Sequence, residues 1–175
     1  MIKLNLVLSA LTLVISIGFT GSVFAEKIAS CNSPSGYSNY HHAGILGKEQ
    51  SGFTEDKITG GIVKLIRNNE KEYDILFTDA SKTIISAKED GGDVLLMRQG
   101  NSDVTFLVAY HGKTIELYTF YIEKDGRKRF DLIQSKGGAL LQHKSTVMSG
   151  NCSFINLKAI IDPDSDSDSE MSNKI

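Results

Sequence analysis

The sequence predicts an all-β protein. It should be an antiparallel meander of about eight or nine strands, a barrel or a sandwich, with one end-to-end disulfide. Three observations carry this. From Gly61 onward, short apolar runs alternate with turn residues at roughly 10–12-residue spacing. The links between runs are too short for parallel crossovers, which need about a dozen residues or more. No window after residue 25 keeps the i, i+3, i+4, i+7 apolar stripe of a surface helix. The 175 residues are 41% hydrophobic and 23% charged. That balance suits one compact domain and excludes a disordered chain, a collagen-like repeat or a multi-span membrane protein.

Residues 1–25 read as a signal peptide. Lys3 supplies the positive start, no further charge follows until Glu26, and Val23-Phe24-Ala25 gives the small-residue end that signal peptidase requires. Cleavage is expected between Ala25 and Glu26. One alternative is an uncleaved anchor, because the uncharged run is long enough to span a bilayer. Another is lipid attachment at Cys31, which Glu26 and Lys27 oppose by placing two charges where an apolar run should lead to the cysteine. Export leaves two cysteines, Cys31 and Cys152. An oxidising compartment favours a bridge between them over free thiols or a link to another chain. Such a bridge closes about 120 residues and contributes up to ~4–5 kcal/mol in the chain-entropy model.

The segment from Cys31 to Gly61 is rich in Gly, Ser and Asn and is expected to be irregular. At most it holds a short strand at Ala43–Leu46 and one helical turn within Ser51–Ile58. Nine runs then follow: Ile62–Ile66, Tyr73–Thr78, Thr83–Ala87, Val94–Met97, Val104–Tyr110, Thr114–Ile122, Phe130–Ile133, Leu140–Met148 and Cys152–Leu157. Asp125-Gly126 is the strongest hairpin signal, since both residues tolerate positive φ. Gly150-Asn151 reads as the break before the last run. The single β domain therefore covers 26–161, and 162–175 is an acidic tail.

In that tail Asp alternates with Ser and there is little apolar surface to bury, so disorder is expected. Its D-x-D-x-D pattern suggests a calcium loop as the alternative but departs from one at two positions. Ser167 stands where the loop's Gly belongs, and Asn173 where its bidentate Glu belongs. Charge follows the same division. Residues 26–161 carry 17 basic and 16 acidic side chains, the tail one and five, and the leader a single Lys, which recovers the net −2. A balanced body lacks the broad basic surface that nucleic-acid binding needs.

Catalytic motifs are absent: no G-x-S-x-G, H-E-x-x-H, phosphate-binding loop or dinucleotide glycine pattern occurs. His41 and His42 point apart in an extended segment, His111 falls in a turn, and His143 sits in a strand, so no metal site is expected. Asp74 and Asp131 fall on the outward side of half-buried strands. The runs Val104–Tyr110 and Thr114–Ile122 are apolar on both faces, so both faces should be covered. One cover is the core; the other is the Cys31–Gly61 segment, a ligand or a partner chain. On the ligand reading Phe106, Val108, Ile115, Leu117 and Tyr121 are the candidate ligand-facing residues. Arg127-Lys128-Arg129 forms a basic hairpin tip and is the candidate partner contact.

Several stretches resemble a group of small exported bacterial proteins of unknown function: Cys31-Asn-Ser-Pro-Ser-Gly-Tyr37, Asp56-Lys-Ile-Thr-Gly-Gly61, Tyr73-Asp-Ile-Leu76 and Ser149-Gly-Asn-Cys152. That resemblance implies the compartment and the end-to-end bridge, and no activity. Lys136-Gly-Gly-Ala139 ahead of Cys152 resembles the end of the periplasmic inhibitors of C-type lysozyme, which are small antiparallel barrels. Their S-G-x-x-Y loop has no counterpart, because Tyr40 falls one residue too far after Ser35-Gly36, so no site residue carries over. The expectation is an exported, non-catalytic binding protein, periplasmic or secreted, free of the membrane after cleavage. Its partner is an unknown protein or envelope component, and no cofactor is expected. The alternatives are a calycin-like carrier of a small apolar ligand and a lysozyme-inhibitor-like protein.

Overall fold

The structure, a computed structural model, describes residues 25–68, 72–78 and 81–160. The expected leader up to residue 24 and the acidic tail lie outside the described residues. The all-β, antiparallel fold is present. The strands are β1 Glu26–Gly44, β2 Gly52–Lys57, β3 Ile62–Arg67, β4 Tyr73–Thr78, β5 Ile84–Ser86, β6 Asp93–Gln99, β7 Asp103–Tyr110, β8 Thr114–Ile122, β9 Lys128–Lys136 and β10 Gln142–Ile155. They form one sheet in the order β5-β4-β3-β1-β10-β9-β8-β7-β6, with β2 pairing β1 beside β3.

This is neither a closed barrel nor a two-sheet sandwich. The end strands β5 and β6 do not pair. Yet the two flanks turn to face each other, and Tyr73 of β4 meets Phe106 of β7 at a ring-centroid distance of 5.0 Å. The sheet is a curled, open trough. Its inner face holds a core led by the fully buried Ile28, Leu65, Ile75, Val104, Phe106, Phe120 and Phe130.

Three expectations are corrected. The segment after Cys31 is no irregular lead-in, because β1 runs unbroken through it, and Ser51–Ile58 contains β2 instead of a helical turn. Its polar sequence stays extended because both of its edges are paired, with β10 on one side and β3 then β2 on the other. Pro34 is tolerated at a register shift, where Ser33 takes a φ of 47° and donates its N–H to the Gly61 carbonyl at 2.8 Å. Gly150 is also no break, since β10 passes straight through it. A side chain there would collide with the Phe130 ring, because an added Cβ would lie 2.3 Å from Cε1.

The third correction concerns the path of the chain. Strands β3–β5 and β6–β10 are meanders, but β1 lies between β3 and β10. The first and last strands therefore meet in the middle of the sheet, and the free edges belong to mid-chain segments. Cys31 and Cys152 are direct register partners on β1 and β10, bonded to each other with Cα atoms 3.8 Å apart. The disulfide links the neighbouring central strands β1 and β10.

On the convex face, one register line joins Tyr37, Val147, Ile133, Leu117, Leu107 and Leu95 across six strands. With strands about 4.8 Å apart, the line is ~24 Å long. Directly opposed apolar pairs stabilise a sheet even when half exposed.

Candidate functional site: a polar mouth in the trough

The inner face changes character along the strands. Where Phe106, Phe120 and Phe130 sit, it is dry. Toward the start of β8 and the end of β9, the same inward alternation brings in Thr114, Glu116, Gln134 and Thr146, three of them buried. The register aligns Glu116 with Gln134, Gln134 with Thr146, and Thr146 with Ser38. A polar row thus crosses β8, β9, β10 and β1.

Hydrogen bonds fix this row. Tyr118 donates its hydroxyl to Glu116 Oε2 at 2.7 Å, and Gln134 donates its amide to Glu116 Oε1. Ser38 and Thr146 share a hydroxyl bond of 2.8 Å. Ser38 and Lys144 both donate to Asp56 Oδ2, at 2.7 and 2.9 Å. Lys144 also lies over the Tyr40 ring. Burial pushes the Asp56 carboxyl up, but the hydrogen bonds from Ser38 and Lys144 and the Lys144 charge outweigh it and hold the group below the ordinary carboxylate value.

Beside the row opens a cavity of about 620 Å³. Its lining mixes the apolar side chains of Pro34, Ile62, Val63, Phe77 and Leu132 with Glu116, Tyr118 and Gln134. Lys57, Lys82 and Lys136 also line the opening. Glu116 is 7% exposed, and among the described residues no Lys, Arg or His nitrogen pairs with it. Its charge reaches its surroundings: the Tyr118 hydroxyl is driven well above the usual phenol range by burial, by the Glu116 charge and by its bond to that carboxylate. Tyr110 is raised likewise, by burial first and then by Glu116, Asp90 and Asp74. Thr78 Oγ1, in the cavity wall, is buried without a hydrogen-bond partner among the described residues.

The residues singled out from sequence fall elsewhere. Phe106 and Val108 point into the dry core, whereas Ile115 is 56% exposed on the convex face and Leu117 and Tyr121 share that outer side. The five do not form one ligand surface. The alternation of β8 places Thr114, Glu116, Tyr118 and Phe120 inside, opposite to the side on which Ile115 and Leu117 were counted. The basic tip is also divided. Arg127 is held by Asp125 at 2.7 Å and Glu123 at 2.9 Å, and Arg129 turns to donate to Ser149 Oγ at 2.8 Å.

Asp74 accepts from Ser86 at 2.5 Å and Asp131 from Tyr121 at 3.2 Å, each within its own neighbourhood. Among the described residues no group of three or more His, Cys, Asp and Glu side chains is placed to hold a metal. Glu116 and Gln134 were missed. The available signal was Thr-Ile-Glu-Leu-Tyr-Thr-Phe, in which Phe120 and Tyr118 fix the inward parity and carry Glu116 with them. Compared with protein-family models, with curated proteins and with solved structures, the chain matches none.

Proposed function

We propose that this chain is an exported, non-catalytic binding protein whose trough takes a small, partly apolar ligand, in the manner of a calycin-like carrier. The observation that supports this reading best is the cavity of about 620 Å³ whose lining combines apolar side chains with a few polar groups. Ligand sites have that size and that mixture, with apolar lining for affinity and sparse polar groups for orientation. The disulfide between the first and last strands fits an oxidising compartment.

Native mass spectrometry of chain taken directly from the envelope tests the proposal. A bound species of a few hundred daltons, released on unfolding and lost in Ile62→Trp, is the expected result. Bare polypeptide whose melting temperature is unmoved by apolar amines, acids and alcohols refutes it.

A protein partner is the second reading, favoured by the convex line of Tyr37, Val147, Ile133 and Leu95, each half exposed or more. A photocrosslinker placed at Ile133 in cells should then capture one discrete species, and a smear or nothing counts against it. Inhibition of C-type lysozyme, the third reading, is checked by adding the purified chain to that enzyme.

A further inference from the structure

We infer that the ligand of the trough carries a single ammonium group that pairs with the Glu116 carboxylate. This rests on the small-ligand reading above and specifies its chemistry. A carboxylate withdrawn from water is costly unless it is hydrogen-bonded and paired with a cation. Glu116 has the first compensation and lacks the second. Tyr118 and Gln134 each donate to one of its oxygens. No cationic nitrogen of the described residues lies within 4.0 Å of it, although Lys57, Lys82 and Lys136 line the same cavity.

The surroundings narrow the ligand further. An anionic head drawn to the lysines leaves Glu116 unpaired and lays an apolar tail against it. A polyamine brings charges beyond the one that Glu116 can pair, and these meet the three lysines with like charge. An ammonium on an apolar body satisfies both ends, with the charge on Glu116 and the body against Ile62, Val63, Phe77 and Leu132.

Isothermal titration of the full exported chain with octylammonium, octanol and octanoate, three probes of one length, tests this. Octylammonium should bind about tenfold or more tightly than the other two, as expected for a desolvated charge pair. In Glu116→Gln the three should fall within roughly threefold of one another. Circular dichroism of that variant checks its fold, and Gln134 can turn its amide to meet the new one. The comparison on the unaltered chain stands even if the variant does not fold. Octanoate or octanol binding as well as octylammonium overturns the inference while the small-ligand reading survives. Failure of all three to bind removes both.

Discussion

Replacing Cys31 and Cys152 together by alanine should destabilise the domain severely, and the mechanism is specific enough to be refuted. The bond joins residues 121 apart in sequence. In the chain-entropy model, cutting a loop of that size releases about 5 kcal/mol of conformational freedom into the unfolded chain. Losing the burial of the sulfur atoms adds roughly 1 kcal/mol, while residual contacts in a real denatured ensemble subtract a comparable amount. The expected loss is ~3–5 kcal/mol, or a melting point lower by roughly 10–20 °C. Urea unfolding followed by circular dichroism measures it, with reduced wild-type chain as the control that should lie within about 1 kcal/mol of the variant. The kinetics discriminate further. Pairing of β1 with β10 is the longest-range step in assembling this sheet, so without the bond refolding should slow while unfolding changes little. A loss under about 1 kcal/mol, or one that appears wholly as faster unfolding, would show that the bond does not act by keeping the ends of the chain together.

Strand β9 tests the assignment of the two faces: Phe130→Ala should cost ~3–5 kcal/mol and Ile133→Ala no more than ~1 kcal/mol, read from the same urea titration. Equal costs would mean the sheet does not present Phe130 inward. The Asp56 carboxyl is held below its ordinary value of 3.8 in the fold, so its contribution is complete above that value and is lost as pH falls through the lower folded one. Asp56→Asn should therefore flatten the acid limb of the stability profile below about pH 4, and a variant as acid-sensitive as the parent contradicts the cluster. Tyr110, Tyr118 and Tyr121 are all raised, chiefly by burial. A phenol raised in the fold stabilises it fully below the unfolded value of about 10, and that stability is lost as pH rises further. Ultraviolet titration should show three of the six tyrosines ionising late, together with alkaline unfolding. Six phenols titrating together near the ordinary value would refute the burial.

Much of this architecture was legible because turns announce themselves. Asp125-Gly126 closes the β8–β9 hairpin with Gly126 at a φ of 85°, and the runs from Ile62 to Ile133 became strands near their expected limits. Two features hid from local reading. Strand β1 carries Asn, Ser, Gly and Pro in place of β-branched residues, so its propensity is poor. It is extended because β10, β3 and β2 supply partners along both edges, and pairing across more than a hundred residues leaves no local signature. Gly150 reads as punctuation until Phe130 is seen to occupy the space where a side chain would stand. The site was concealed for a related reason. An apolar count favours the Ile115–Leu117 side of β8, yet Phe120 and Tyr118 decide the inward side, and one buried carboxylate goes with them.

The placement of the ends also bears on how the sheet avoids its own edges. Because β1 and β10 meet at the centre, the exposed edges fall to β5, β6 and β2, and each is blunted differently. Strand β5 is only three residues long, too short to template another chain. In β6 the register slips between Leu96 and Arg98, so Met97 forms a bulge that interrupts the ladder. The outer strand β2 ends in Glu55, Asp56 and Lys57. Short edges, bulges and charge are the devices by which open sheets resist edge-to-edge pairing. An open trough can then persist as a folded state, and its openness is what leaves the Glu116 mouth accessible. The covalent seam between β1 and β10 joins the two flanks of the open sheet without closure, so the disulfide and the polar mouth belong to one structural solution.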